Sequence, residues 1–179
     1  YKAELAGRIC FTGNDVIQDN CNQNSCNMPC TSSIESKKIF RLAGLTGGLG
    51  VDSWFFSKVA DKVLYNEMQT VLAEAAKHNF SVLGAGNIVI SNKMVSKEEG
   101  STVTDVLGDF APDIVYMDPA RRGEGGKKVF LIEDCQPDVL GLKEDIFRIA
   151  PHFLIKLSPM ADITMAAERL GRQCREIHI

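Results

Sequence analysis

Asp118-Pro119-Ala120-Arg121-Arg122 gathers more chemistry-bearing side chains than any other short run of the sequence. A carboxylate on a turn stiffened by proline can accept a hydrogen bond from a substrate N–H without reorganising as the reaction proceeds. Two adjacent guanidinium groups offer planar forks that match phosphate or carboxylate. With Lys127 and Lys128 they make a dense basic cluster in a chain whose formal net charge is −3. A solvated charged loop is the plain alternative. The position beside Asp118, against a net-acidic background, favours an anionic partner instead.

The second candidate is the turn Gly44-Leu45-Thr46-Gly47-Gly48-Leu49-Gly50, with four glycines in seven residues. Glycines cost conformational entropy, so a fold keeps them where the backbone needs unusual dihedrals or close approach to a ligand. Gly48-Leu49-Gly50-Val51-Asp52-Ser53 nearly matches the dinucleotide fingerprint G-x-G-x-x-[GA], with serine last. No Gly-Lys-Ser/Thr follows, which argues against a phosphate-cradling P-loop. Glu67 lies 17 residues beyond Gly50, where an acid can take both ribose hydroxyls. A solvated glutamate at a helix start is the competing reading.

These residues need elements to hold them. Ile39–Ala43 is short and apolar enough for a buried strand, and Val51–Ala60 reads as a helix. Lys62–Asn66 is a second strand. Met68, Val71, Leu72, Ala75 and Ala76 then follow helical spacing. Asn87–Ser91 and Asp113–Met117 are strands, with a short helix near Thr102–Leu107 between them. Val129–Ile132 is a brief extended piece, Val139–Ile149 a helix, Phe153–Leu157 a strand, Ala161–Leu170 a helix, and Arg175–Ile179 the start of a further strand. Near-continuously apolar strands alternating with helices predict a parallel sheet covered on both faces, an α/β fold of the Rossmann-like doubly wound type. In such sheets ligands lie beyond the carboxyl ends of the strands. The glycine turn, Glu67, Asn92, Asp118-Pro119 and Ser158-Pro159 follow five successive strands.

Composition narrows the class. The chain has 179 residues, 45% apolar and 24% charged, enough for one domain with a sizeable core. No apolar run approaches the ~20 residues of a membrane span. The net acidity argues against bulk electrostatic capture of nucleic acid while leaving room for a local patch. Residues 1–36 read as a short helix followed by a polar, Asn-rich loop, and residues 37–179 as the α/β domain. Since Tyr1 stands where a start methionine would, the expectation is a fragment. Cys21, Cys26 and Cys30 faintly resemble a metal-ligand spacing, with Cys10 the only fourth ligand and no histidine near; free thiols in a loop are the preferred reading, and no metal is expected.

The chain resembles a family of predicted bacterial class I S-adenosylmethionine-dependent methyltransferases that carry a THUMP-like domain after the catalytic one. The likeness rests on Leu45-Thr46-Gly47-Gly48-Leu49-Gly50-Val51-Asp52, on Asp118-Pro119-Ala120-Arg121-Arg122 and on Ile155-Lys156-Leu157-Ser158-Pro159-Met160. The spaced run Tyr65, Glu67, Leu72, Ala76, Asn79, Leu83 and Gly84 agrees, and similarity extends over residues 37–179. The resemblance implies that Thr46, Gly47, Gly48 and Gly50 hold the methionine part of S-adenosyl-L-methionine, with Glu67 at its ribose and Asn92 at its adenine. It implies that Asp118 and Pro119 face the methyl acceptor, that Arg121 and Arg122 contact phosphate, and that the substrate is a base in tRNA or rRNA. It also implies a cytoplasmic protein whose methyltransferase sheet is completed by a strand beyond Ile179.

One position departs from that family. Where it carries an acid, this chain has Gly44, which leaves open weak cofactor binding, a substitute acid such as Asp52, or a domain without activity. The implied reaction is in-line displacement at a sulfonium methyl, driven largely by positioning. Asp118 and the Pro119 carbonyl would orient an exocyclic amine if the acceptor is nitrogen. A 5-methylpyrimidine route would need a nucleophilic cysteine, for which Cys135 is the candidate without an evident activating partner. Two rival classes remain: a non-catalytic RNA- or protein-binding domain, and a nicotinamide-dependent oxidoreductase. The latter is disfavoured because no hydride-transfer pair follows the later strands.

Overall fold

A computed structural model describes residues 4–5, 39–121 and 131–179, with the side chain of Arg121 outside the description. The Asn-rich segment with Cys10, Cys21, Cys26 and Cys30 lies outside it, as do Arg122, Lys127 and Lys128.

Five strands form one parallel sheet: β1 (Arg41–Gly44), β2 (Lys62–Asn66), β3 (Ile88–Ser91), β4 (Ile114–Met117) and β7 (His152–Ile155), in the order β3-β2-β1-β4-β7. A separate antiparallel pair joins β5 (Ala120–Arg121) to β6 (Cys135–Gln136). The helices are α1 (Val51–Phe56), α2 (Thr70–Val82), α3 (Val103–Leu107), α4 (Val139–Ile149) and α5 (Ile163–Leu170). The chain builds outward from β1 to β3, then restarts on the other side of β1 with β4. The order therefore reverses between β1 and β4, the place where a doubly wound sheet opens a crevice.

Two aspartates help set the start of the central strand. Asp61 Oδ2 accepts the Phe40 amide at 2.7 Å and Asp113 Oδ2 accepts the Arg41 amide at 2.9 Å. The ladder then starts at Arg41, two residues later than the apolar run suggests. Successive residues point to opposite faces and both are buried. Ala43, Leu64, Val115 and Met117 pack with α3 and α4, whereas Leu42, Val63, Ile114 and Tyr116 pack with Phe56 of α1. Tyr65 continues the second face against Ala73, Ala76 and Phe80 of α2. The expected Rossmann-like fold is the observed one.

Several local readings change. The buried face of α2 is Ala73, Ala76 and Phe80, while Met68, Val71 and Ala75 are exposed. The helix lies close over Tyr65 and Gly50, with Phe80 against both and Ala76 beside Gly50. Residues 174–179 form no strand; 175–179 are exposed and lack a ladder partner among the described residues. Ile132 belongs to a 3₁₀ turn (Ile132–Asp134), not to an extended piece, and residues 129–130 lie outside the description. α1 stops at Phe56 rather than Ala60, because the Ser57 hydroxyl takes the Trp54 carbonyl and tighter turns follow. Helices α3, α4 and α5 begin where Thr102, Asp138 and Asp162 accept a backbone N–H at the third helical position.

Gly50 precedes α1 at φ 85°, and a Cβ there would lie 2.5 Å from the Phe80 ring. Gly84 has a similar φ of 67° with open space around it. Gly50→Ala is expected to cost about 2–4 kcal/mol, combining left-handed strain with overpacking. Gly84→Ala should cost only about 1–2 kcal/mol. Urea unfolding of both variants checks this; equal losses would show that the Phe80 contact carries no weight.

Candidate functional site

The glycine turn is held from below and from both sides. Leu45 donates its amide to Tyr116 O, and Gly47 donates to Asn66 O at 2.7 Å. Asn66, fully buried, gives its side-chain amide to Leu45 O and Lys93 O and accepts from the Lys93 amide. The Tyr65 hydroxyl donates to Gly48 O at 2.5 Å while its ring fills the space beneath Gly47, where a Cβ would lie 2.1 Å away. Gly47 is thus required by packing against β2. Gly48 differs: at φ 53° an added Cβ meets nothing within 4 Å, so this part of the turn faces open space.

Glu67 stands beside that open side, 8% exposed. Its Oε2 accepts the Gly48 amide at 2.8 Å and its Oε1 accepts the Gln69 amide at 2.9 Å. Two N–H bonds offset much of the cost of burying a carboxylate. They leave further lone-pair sites on the same oxygens for a diol. Asn92 is more committed: its amide donates to Glu67 O at 2.5 Å and its carbonyl accepts from the Thr70 hydroxyl at 3.0 Å. An open glycine backbone beside a buried, partly satisfied carboxylate fits a nucleoside-bearing ligand.

Around Gly44 the structure is filled without an acid. A Cβ there would touch Ser53 Oγ at 3.5 Å and Tyr116 Cδ1 at 4.0 Å, both ordinary contacts. Asp52, the replacement the sequence suggests, accepts the Tyr116 hydroxyl on Oδ2 at 2.7 Å. Its carboxylate therefore stands at the start of α1, next to the turn. Burial pushes the Tyr116 phenol well above its ordinary range; the bond and charge of Asp52 and the charge of Asp118 add to the shift. Tyr65 moves the same way, chiefly through burial and then through the charge of Glu67.

Asp118 leaves the sheet at the end of β4, and its amide donates to Thr46 Oγ1 at 2.7 Å. One hydroxyl thus ties the glycine turn to the carboxylate turn across the reversal of strand order. The chain re-forms a short ladder at Ala120–Arg121, whose Arg121 pairs with Cys135. Lys156, at the end of β7, forms an ion pair with Asp118 Oδ2. Its backbone amide also donates to Met117 O, extending the β4–β7 ladder. These groups edge a cavity of about 430 Å³ whose other walls include Pro119, Ile132, Cys135, Leu157 and Ala166. Cys135 is buried, and its thiol lies 3.9 Å from Leu131 O.

The structure brings Thr46, Gly47, Gly48, Asp52, Glu67, Asn92, Asp118 and Pro119 to one end of the sheet. The roles of Arg121 and Arg122 rest on side chains outside the described residues. Sequence reasoning missed Lys156. The available signal was a lysine closing an apolar strand next to the strand that ends in Asp118.

No family model and no curated protein matches the chain. Among solved structures it is similar to a "putative methyltransferase" from Porphyromonas gingivalis W83, with 30% identity and a TM-score of 0.58. That match covers 72% of this chain and 30% of the other, so the chain spans less than a third of that protein's length. It is also similar to precorrin-6y C5,15-methyltransferase from Geobacter metallireducens GS-15, at 14% identity and a TM-score of 0.51 over 74% of this chain and 62% of that one, a likeness of fold alone. The fold is the Rossmann-like one seen in these methyltransferases.

Both buried phenols should stay protonated until the chain unfolds. Their folded pKa values lie above the unfolded value of about 10, so their stabilising contribution is complete below pH ~10 and is lost as pH rises beyond it. Absorbance at 295 nm should show no more than one tyrosinate of the three tyrosines in the native chain at pH ~11. Tyr116→Phe should flatten the alkaline loss of stability. Two tyrosinates appearing before unfolding would show that one of the two buried phenols ionises in the folded chain, and a third would contradict the buried Tyr116–Asp52 bond.

Proposed function

We propose that residues 37–179 form the S-adenosylmethionine-binding domain of a longer RNA methyltransferase. The observation that carries this reading is the Thr46–Asp118 bond. It sets an open glycine turn and a carboxylate turn side by side at the switch point of a methyltransferase-like sheet. When bound, the cofactor supplies an electrophilic methyl group on a sulfonium.

The chain's own residues would divide the work as follows. Gly47, Gly48 and Gly50 present backbone to the methionine part, helped by Thr46, while Glu67 takes the ribose hydroxyls and Asn92 borders the adenine. Asp52 stands in for the acid missing at Gly44, its carboxylate oriented by Tyr116. Asp118 and Pro119 hold the acceptor in line, which is where most of the rate enhancement arises. Arg121 and Arg122, with Lys127 and Lys128, take the phosphates of a tRNA or rRNA, the partner the sequence resemblance implies. The same resemblance supports a cytoplasmic bacterial protein with a THUMP-like domain outside this chain, consistent with the short share of the P. gingivalis protein that it spans. The second reading is a non-catalytic RNA- or protein-binding domain, favoured by Gly44 and by an Asp52 already engaged.

Thermal melting with S-adenosylhomocysteine separates the two. A ligand at ~100 times its Kd adds about 2.7 kcal/mol, so a shift of several degrees is expected. No shift at millimolar ligand would favour the second reading. Bulk RNA should accept labelled methyl groups from the full-length protein. Asp118→Ala should lower that transfer by about 10²-fold or more while leaving the melting shift in place. Transfer unaffected by Asp118→Ala would remove Asp118 from the reaction.

A further inference from the structure

Resting on the methyltransferase reading above, we infer that the methyl acceptor is a hydroxyl oxygen held between Asp118 and Lys156, which in RNA makes it the ribose 2′-hydroxyl. Donors and acceptors at the mouth of the cavity select the acceptor atom. Asp118 and Lys156 are ion-paired there, each about a third to a half exposed and so within reach of a ligand. Lys156 engages Oδ2, and among the described residues no hydrogen bond is recorded on Oδ1. The site thus offers one acceptor and one cationic donor side by side.

A hydroxyl has one proton and two lone pairs. Its proton can go to Asp118 Oδ1 and one lone pair can accept from the Lys156 ammonium, leaving the second lone pair for the methyl group. An exocyclic amine has two N–H donors and a single conjugated lone pair. Beside Lys156 that amine would set donor against donor and leave the ammonium only its pairing with Asp118. A ring nitrogen spends its only lone pair on the methyl group and leaves both Asp118 and Lys156 unmatched. The base implied by the sequence resemblance is replaced here by the sugar of the same nucleotide.

The step balances with residues in place. The hydroxyl oxygen forms the new O–C bond as the C–S bond breaks, the electron pair of that bond passing to sulfur. The hydroxyl proton passes to Asp118, which is exposed enough to return it to water. Lys156 remains an ammonium throughout, keeping Asp118 oriented.

Alkaline hydrolysis of RNA labelled by the full-length protein tests this. A methylated 2′-oxygen cannot attack the adjacent phosphate, so label is expected in alkali-stable dinucleotides. Label in mononucleotides would overturn the hydroxyl inference and leave RNA methylation standing. No label in RNA, with S-adenosylhomocysteine still raising the melting temperature, would overturn both. A binding measurement needs no turnover. Cofactor-free protein should hold an oligonucleotide with a 2′-deoxy nucleotide at the labelled position about tenfold more weakly than the all-ribose form. Lys156→Met should erase that difference, and Lys156→Arg should keep part of it. Equal binding of the two oligonucleotides by the parent protein would overturn the role given to Lys156.

Discussion

The arrangement depends on one constraint: β1 and β4 lie side by side in the sheet, yet their connections leave in opposite directions. The crevice this opens at their carboxyl ends would be solvent without something to set its width. The Thr46 hydroxyl does so, accepting the Asp118 amide across the gap. A backbone donor at the start of a proline turn has no ladder partner, so an oxygen supplied by the neighbouring turn satisfies it. That bond fixes the glycine turn and the carboxylate turn in one frame, and the remaining loops build on it.

The rim is stiffened by polar side chains that serve the backbone. Asn66 alone bridges the β1 and β3 exits, Glu67 receives the Gly48 amide, and Asn92 returns to Glu67. Such a network is favourable only when fully satisfied, because an unpaired buried amide or carboxylate costs more than a hydrogen bond returns. The consequence for function is preorganisation. A ligand entering over Gly48 meets a turn already held in shape and does not have to order it.

Gly44 looks different from inside the fold than along the chain. It reads as a lost acid, but the space is shared by Ser53, the Tyr116 ring and the β2 backbone. Asp52, in the first turn of α1, adds negative charge near the turn beside that of Glu67. A phenol that burial keeps protonated holds its carboxylate there. Asp52 on the helix is thereby joined to Tyr116 of β4. The charge of Asp118 raises the same phenol's pKa further.

Much of this was open to inspection in the residues alone. Near-continuous apolar strands between amphipathic helices specify a two-faced parallel sheet, since only such a sheet buries every strand residue. The glycines, Glu67 and Asp118 announced themselves because each sits where an apolar period stops. What failed was local. Val71 and Ala75 fit the helical period but face solvent, and Arg175–Ile179 has strand composition without a ladder. A period identifies a face only once the neighbour that covers it is known. Lys156 is the sharpest case: in the sequence it stands 38 residues from Asp118, with nothing to link them. Only the strand order, which lays β7 against β4, turns that lysine into the partner of the carboxylate. Local patterning thus determined the elements and their special turns. Tertiary pairing decided which charges meet, because a parallel neighbour is chosen by the whole sheet and not by sequence distance.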